Sequence, residues 1–284
     1  MKSEKVGDKV PNIYTLASTA ELDMEKTFEC GQCFRWNADE KGVYHGIAYG
    51  WPARVWNDGE NVYISTEGPE EMWREYFDLE RDYAAISRSF DGGEYLDACI
   101  EAGMGIRILR QEPWEALCSF IISQCNNISR IKGIVERLCE GFGELVEFEG
   151  KKFYTFPGPE KLAFLQPEDL ASLRSGYRAA YIINAANAIV RGELKLEELI
   201  DCDYSTAHKK LLEIHGVGTK VANCVVLFGL YHMEAFPVDV WIKRALKEHF
   251  PPGFDPKSLG SYGGLAQQYI FYYARNLSDG AKKS

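Results

Sequence analysis

The sequence predicts an α+β protein, with a small antiparallel β-sheet domain at the N-terminus and a larger all-helical domain after it. Between residues 5 and 66, short runs rich in β-branched and aromatic residues alternate with turn residues. From Pro69 onward apolar residues recur at helical spacing, and the only further candidate strand covers residues 152–155. The composition changes between residues 65 and 105, and we therefore expect an N-terminal domain at 1–100 and a helical domain at 101–284.

Individual elements follow from the same patterns. Strands are predicted at residues 43–49, 53–56 and 61–65, and the Asn57-Asp-Gly-Glu segment between the last two is typical of a hairpin turn. Helical periodicity predicts helices at residues 70–77, 83–90, 94–102, 114–122, 203–214 and 240–247. Two more helices are predicted to begin near Thr219 and Tyr262.

Composition and charge exclude some classes of protein. The chain has 284 residues, of which 46% are hydrophobic and 26% charged, which is ordinary for a soluble globular protein. The net charge of −10 argues against a protein that coats DNA nonspecifically, because such binding depends on neutralising phosphates. Residues 173–191 nevertheless carry three arginines and no acidic residue, which allows a local DNA-binding face.

The sequence predicts no membrane segment and no metal. Apolar runs stay well below the ~20 residues that a spanning helix needs, and the first eight residues lack the apolar core of a signal peptide. We therefore expect a cytoplasmic, nucleoid-associated protein of a prokaryote. Among the eight cysteines only Cys30 and Cys33 form a C-x-x-C, without a second pair to complete a zinc site. No metal, cofactor or disulfide is predicted.

The most informative stretch runs from residue 203 to residue 240. A helix that Asp203 or Ser205 can cap is broken by Gly216-Val-Gly218, and a second helix begins at Thr219. This pattern predicts a helix–hairpin–helix. Unpaired backbone N–H groups at the start of the second helix form a binding site for a phosphate.

Three side chains near this hairpin can carry chemistry. Lys220 lies in the first turn of the second helix, where the helix dipole disfavours its charged form and favours the neutral amine that a nucleophile requires. Cys224 lies four residues later on the same helix face, and Asp239 begins the next helix. Simpler roles are open for each: a phosphate-binding lysine, a core cysteine and a helix N-cap.

The segment Gly216-Val-Gly-Thr-Lys-Val-Ala-Asn-Cys224, followed by Pro237-Val-Asp-Val, resembles the 8-oxoguanine DNA glycosylases among the helix–hairpin–helix DNA glycosylases. The resemblance implies that Lys220 attacks the sugar C1′ atom and that Asp239 assists. Glu29-Cys-Gly-Gln-Cys-Phe-Arg-Trp36 is similar to a second family segment. There the resemblance implies that the Gly31 carbonyl accepts a hydrogen bond from N7–H, which ordinary guanine lacks. A packed edge strand is the alternative.

Two further segments resemble the family's DNA-contacting loops. Ser123-Gln-Cys-Asn-Asn-Ile-Ser-Arg130 implies DNA contacts for Asn126, Asn127 and Arg130, although Cys125 replaces a family asparagine that contacts the orphaned cytosine. Gly176-Tyr-Arg implies that Tyr177 wedges into the base stack and that Arg178 reads the orphaned base. Helix capping by the asparagines and a buried tyrosine beside a surface arginine are the alternatives.

The C-terminal aromatic helix completes the resemblance. Gln267 and Phe271, four residues apart on one face, match the family's glutamine that bonds the Watson–Crick edge and its stacking phenylalanine. The base would then lie between Phe271 and Cys224. The resemblance assigns DNA contacts to Gly216, Gly218, Val221 and Trp241, although Trp241 replaces a family histidine that meets a phosphate.

Together these motifs predict a bifunctional 8-oxoguanine DNA glycosylase with abasic-site lyase activity. Its expected partner is double-stranded DNA containing 8-oxoguanine, and we expect it to act as a monomer without a cofactor. Three alternatives are open. The chain could release another damaged base, be a non-catalytic helix–hairpin–helix DNA-binding module, or be an RNA- or protein-binding scaffold.

Overall fold

The computed structural model describes residues 10–281, with side chains described as far as residue 276. The expectations for the first eight residues and for the start of the β-rich region lie outside the described residues. An antiparallel sheet is followed by helices, which confirms the predicted α+β class. In chain order the elements are β1 (Asn12–Ser18), α1 (Met24–Glu29), β2 (Asn37–Ala38), β3 (Tyr44–Ala48), β4 (Trp51–Asn57), β5 (Asn61–Thr66), α2 (Glu70–Tyr76), α3 (Tyr83–Arg88), α4 (Gly93–Gly103), α5 (Pro113–Ile122), α6 (Ile128–Phe142), β6 (Leu145–Phe148), β7 (Lys151–Tyr154), α7 (Pro159–Leu162), α8 (Arg178–Val190), α9 (Leu196–Ile200), α10 (Tyr204–Leu212), α11 (Thr219–Phe228), α12 (Val240–His249) and α13 (Gly263–Ala281). Two 3₁₀ helices cover Pro167–Leu173 and Pro256–Tyr262.

The N-terminal sheet has five strands in the order β1-β5-β4-β3-β2, and its pairs are antiparallel. The three predicted strands are confirmed as β3, β4 and β5. The predicted hairpin turn is confirmed as well, since the Asp58 N–H donates to the Asn61 carbonyl at 3.2 Å and Gly59 has φ +100°. Strand β1 was not predicted separately, and its pairing with β5 shifts register between Thr15 and Ala17.

The predicted helices are confirmed, with ends that differ by a few residues. Asp203 caps α10 by accepting hydrogen bonds from the N–H groups of Ser205 and Thr206, which decides between the two candidate caps. The single late strand predicted at residues 152–155 is β7. Its partner β6 was not predicted, because a four-residue strand with two charged or exposed positions gives a weak periodic signal.

Two hydrophobic cores support the fold. One lies beneath the sheet around Phe28, Trp36 and Trp73, and the other fills the helical region. The segment after α1 belongs to both, because Cys30 and Phe34 pack into the helical core while Cys33 packs under the sheet. This segment therefore carries Gly31 from the sheet region to the helices.

None of the helices in the described part of the chain combines the length and apolar character that crossing a bilayer requires.

Candidate active site

A cavity of about 750 Å³ lies where α5, α11, α12 and α13 meet the segment that follows α1. Its walls come from five segments of the chain, which lie at residues 30–34, 120–131, 218–228, 237–241 and 267–275. Six residues singled out by the sequence for catalysis or base recognition line it together, namely Gly31, Lys220, Cys224, Asp239, Gln267 and Phe271. The fold thus brings into one place residues that the sequence separates by up to 240 positions.

The helix–hairpin–helix begins the site. Gly216 has φ +93°, and a Cβ atom there would lie 2.2 Å from the Tyr181 ring, so both the backbone conformation and the packing require glycine. Gly218 is the N-cap of α11, and a Cβ atom on it would meet nothing within 4 Å. The hairpin is therefore tightly packed against α8 on one side and open at the start of α11, where N–H groups can receive an anion.

Lys220 is half-buried in the first turn of α11. Its Nζ atom donates a hydrogen bond to Ser123 Oγ at 3.0 Å and lies 5.4 Å from the centre of the Phe120 ring. The Ser123 hydroxyl in turn donates to the Phe120 carbonyl at 2.8 Å. Among the described residues no carboxylate forms an ion pair with Lys220. The amine is therefore positioned by a hydroxyl group and an aromatic ring rather than by a salt bridge.

Asp239 is both a helix cap and a wall of the cavity. Its Oδ1 atom accepts hydrogen bonds from the N–H groups of Trp241 and Ile242, each at 2.9 Å. The simple capping role considered from the sequence is thus present, and it fixes the carboxylate at the start of α12. Because the same carboxylate lines the cavity that contains Lys220, capping does not exclude a second role.

The walls around the predicted base site are apolar and close together. Cys224 is only 3% exposed, and burial raises the pKa of its thiol although nearby Lys220 opposes the shift, so the side chain is a neutral wall at neutral pH. Gly31 has φ +78°, and a Cβ atom on it would lie 3.4 Å from Phe271 Cε1. Gly31 and Phe271 are therefore direct neighbours across the cavity.

The segment that carries Gly31 is held by hydrogen bonds to α1, to the loop at residues 107–109 and to α13. The Gln32 side chain has no solvent exposure, and its Nε2 atom donates to the carbonyls of Thr27 at 2.9 Å and Arg107 at 2.7 Å. Its Oε1 atom accepts from the Leu109 N–H at 2.9 Å. Arg275 of α13 donates to the Glu29 carbonyl at 2.6 Å. Sequence reasoning gave Gln32 and Ser123 no role, although both lie inside motifs that it singled out.

The residues predicted to contact DNA lie in different surroundings. Asn127 caps α6 through the Arg130 N–H at 3.0 Å, so its proposed capping role is real. Asn126, Asn127, Gly218, Val221 and Trp241 line the cavity, whereas Gly216, Arg130, Tyr177 and Arg178 do not. Arg130 is exposed, and Tyr177 has 52% of its surface exposed.

Arg178 is buried rather than displayed on the surface. Its guanidinium donates to the carbonyls of Ser175 at 3.1 Å and Cys125 at 3.2 Å, and also to that of Gln124. Its guanidinium carbon lies 4.6 Å from the centre of the Tyr177 ring. In this structure Arg178 ties the loop before α6 to the start of α8.

Both parts of the chain match known protein families. Residues 15–117 match the family "8-oxoguanine DNA glycosylase, N-terminal domain", and residues 118–258 match "HhH-GPD superfamily base excision DNA repair protein". The chain is 32% identical over 229 residues to a probable N-glycosylase/DNA lyase of Methanothermobacter thermautotrophicus, covering 70% of this chain and 71% of that protein. The chain belongs to the 8-oxoguanine DNA glycosylase family.

Two further known proteins resemble the chain. The crystal structure of the Clostridium acetobutylicum 8-oxoguanine glycosylase/lyase, in complex with double-stranded DNA containing cytosine opposite 8-oxoguanine, superposes with a TM-score of 0.85 at 37% identity. That match covers 95% of this chain and 99% of the other. An N-glycosylase/DNA lyase of Saccharomyces cerevisiae is 40% identical over 158 residues, a match that spans 51% of this chain and 42% of the yeast protein.

Proposed function

We propose that this chain is a bifunctional base-excision repair enzyme that releases 8-oxoguanine from duplex DNA and then cuts the strand at the abasic site. The observation that carries this proposal is the single cavity lined by both Lys220 and Asp239 and by Gly31, Cys224, Gln267 and Phe271. An amine beside a carboxylate provides a nucleophile and a stabilising negative charge. The other four residues provide a site for a flat heterocycle.

Recognition begins with extrusion of the nucleotide, because its C1′ atom cannot be reached inside the base stack. The extruded base lies between the ring of Phe271 and the neutral thiol of Cys224. The Gly31 carbonyl accepts from N7–H, which 8-oxoguanine has and guanine lacks, while Gln267 bonds the Watson–Crick edge. The geometry that supports these roles is the close approach of Gly31 to Phe271 and the burial of Gln267 in the same cavity.

The chemistry follows from the amine and the carboxylate. The neutral Lys220 amine attacks C1′ and forms a C–N bond, while the glycosidic bond breaks and the base leaves with the bonding electrons and a proton. Ring opening gives an imine between Lys220 and C1′. Loss of a C2′ proton then expels the 3′ phosphate by β-elimination and nicks the strand. The Asp239 carboxylate stabilises the positive charge that develops on the sugar.

The remaining predicted residues bind the DNA around the lesion. The backbone at Gly216, Gly218 and Val221 binds a phosphate at the start of α11, where the N–H groups are unpaired. Tyr177 is exposed and wedges into the stack, and Trp241 can donate its indole N–H to a phosphate. Asn126, Asn127, Arg130 and Arg178 surround the space left by the extruded nucleotide, with Arg178 acting also through the loop carbonyls that it holds.

We further propose that the enzyme acts as a cytoplasmic, nucleoid-associated monomer in a prokaryote, without a cofactor, and that its domains are residues 1–100 and 101–284. One chain supplies every residue of the proposed active site, which is consistent with action as a monomer.

Borohydride trapping tests the proposal. A duplex with one 8-oxoguanine opposite cytosine is incubated with the wild type, with Lys220→Gln, and with Lys209→Gln as a matched control at an exposed lysine. A covalent complex is expected with the wild type and the control and none with Lys220→Gln, because only an imine is reduced to a stable amine. Equal trapping in all three proteins contradicts the role of Lys220. Binding without trapping or base release indicates a DNA-binding module, and base release without trapping indicates a monofunctional glycosylase.

A further inference from the structure

The cavity contains a second glutamine beside the one that sequence reasoning selected. Gln267 and Gln268 are consecutive on α13, each is 3% exposed, and both line the cavity. Burying an amide is unfavourable unless its N–H and C=O groups are hydrogen-bonded. Two adjacent buried amides in a cavity with apolar walls therefore indicate polar groups that serve a ligand.

The hydrogen bonds of this pair are incomplete. Gln268 Nε2 donates to Gln267 Oε1 at 2.9 Å. Gln268 Oε1 is buried, and within the described part of the chain no group donates a hydrogen bond to it. Buried carbonyl oxygens without a donor are uncommon in native proteins. Because Gln268 lines the cavity, an N–H group of a ligand bound there can supply the missing donor.

We propose that Gln267 and Gln268 together read the Watson–Crick edge of the extruded base, and that Gln268 recognises its exocyclic amino group. This inference rests on the proposed function. Along that edge 8-oxoguanine presents the O6 acceptor, the N1–H donor and the N2 amino donor. The two amides offer the complementary groups, with Gln267 Nε2 as donor and Gln267 Oε1 and Gln268 Oε1 as acceptors.

The bond between the two amides is compatible with this arrangement. An amide oxygen has two lone pairs, so Gln267 Oε1 can accept from Gln268 Nε2 and from N1–H together. The N–H of Gln268 holds the Gln267 amide in one orientation, with its oxygen toward N1–H. Adenine-type bases present an unprotonated N1 and an amino group at C6, and they would need the reverse orientation.

The proposed role of Gln268 predicts that a base without the amino group is released more slowly. 8-Oxohypoxanthine has the same O6 and N1–H groups as 8-oxoguanine but lacks the N2 amino group. When it occupies the site, Gln268 Oε1 stays without a donor. Sites that leave a buried polar group unpaired discriminate strongly against the ligand that fails to pair it.

The test measures single-turnover release of each base from duplexes that carry it opposite cytosine. The wild type is expected to release 8-oxoguanine at least about tenfold faster than 8-oxohypoxanthine. Gln268→Met has similar length but no donor or acceptor, and it should release the two bases at equal rates. Removing the amino group from the base should therefore slow its release only when the Gln268 amide is present. The comparison is a double-mutant cycle between protein and substrate.

Two further variants separate recognition from folding. Gln268→Glu keeps an acceptor for the amino group but loses the N–H that orients Gln267. It should release both bases more slowly and still prefer 8-oxoguanine, because the two bases present the same groups to Gln267. Tyr269→Phe is the matched control, because it removes a buried hydroxyl from the next residue of α13, one that contacts Ser87 Oγ at 3.0 Å and does not line the cavity. It should also keep the preference. Nicking of a preformed abasic site needs no base reading and should be similar in all four proteins.

The outcomes are distinct. The inference is overturned if Gln268→Met keeps the full preference for 8-oxoguanine. It is overturned as well if Gln268→Met and Gln268→Glu lose base release and abasic-site nicking in parallel, because Gln268 would then have only a structural role. Failure of the proposed function looks different: the wild type itself would release no 8-oxoguanine.

Discussion

The hydrogen bonds of Gln32 allow a quantitative prediction for the variant Gln32→Leu. The side chain is fully buried, donates to the carbonyls of Thr27 and Arg107, and accepts from the Leu109 N–H. Leucine has a similar size and can make none of these three bonds. At about 1 kcal/mol net for each bond, the free energy of unfolding should fall by about 3 kcal/mol. For a chain of this size we expect Tm to fall by about 6–12 °C.

The functional effect should be confined to base recognition. Gln32 is adjacent to Gly31, so its loss frees the segment whose carbonyl accepts from N7–H. Release of 8-oxoguanine should fall about tenfold or more, because a rise of about 1.4 kcal/mol in the activation free energy already gives that factor. Nicking of a preformed abasic site depends on Lys220 and Asp239, which lie on other elements, and it should change by less than about threefold.

Gln111→Leu provides the graded comparison. Gln111 Nε2 donates one hydrogen bond, to the Gln32 carbonyl at 2.7 Å, so its removal should cost about 1 kcal/mol. Thermal unfolding and the two single-turnover assays are measured for all three proteins. If Gln32→Leu unfolds within about 2 °C of the wild type, the hydrogen-bond account of this segment is wrong. If release of 8-oxoguanine and nicking of an abasic site fall by the same factor, Gln32 stabilises the fold as a whole and does not specifically position Gly31.

Three other predictions follow from the structure. Gly216→Ala should lower the free energy of unfolding by about 2–4 kcal/mol, since alanine is strained at φ +93° and its Cβ atom overlaps the Tyr181 ring; chemical unfolding measures this. Asp239→Asn should keep the cap of α12, because asparagine also accepts from the N–H groups there, and so leave Tm unchanged; the single-turnover rate of base release should nevertheless fall about 10²–10³-fold, because the negative charge is lost. Glu115→Gln should flatten the pH dependence of stability. Burial raises the pKa of Glu115 to about 7, although Arg35 at 3.4 Å opposes the shift, so the folded state keeps a proton that the unfolded state loses near pH 4.5, and wild-type stability falls as pH rises between these values.

Each of these predictions has an outcome that contradicts it. Gly218→Ala is the control for the hairpin, because its Cβ atom would meet nothing within 4 Å; equal losses at the two glycines would contradict the packing argument. A large drop in Tm for Asp239→Asn would show that the carboxylate is needed for folding. Unfolding in urea at pH 5 and pH 7 tests Glu115→Gln. If the free energy of unfolding changes between the two pH values as much in the variant as in the wild type, another group titrates.

The sequence by itself determined the fold class and most of the elements. Apolar periodicity located the helices, the run after Asn57 located a hairpin turn, and two candidate caps, Asp203 and Ser205, located the start of α10 to within two residues. These features depend on residues within a few positions of one another, so a local pattern is enough to specify them. Strand β6 was not predicted, because four residues give too short a periodic pattern.

The motifs also supplied the candidate site residues, but only the tertiary structure brought the six predicted catalytic and base-recognition residues to one cavity. It placed Arg178 under the loop carbonyls, where sequence reasoning had considered only a reader of the orphaned base or a surface arginine. It also revealed the buried bonds of Gln32 and the unpaired oxygen of Gln268. Burial and hydrogen-bond pairing depend on contacts between residues far apart in the chain, and no local pattern of residue types specifies them.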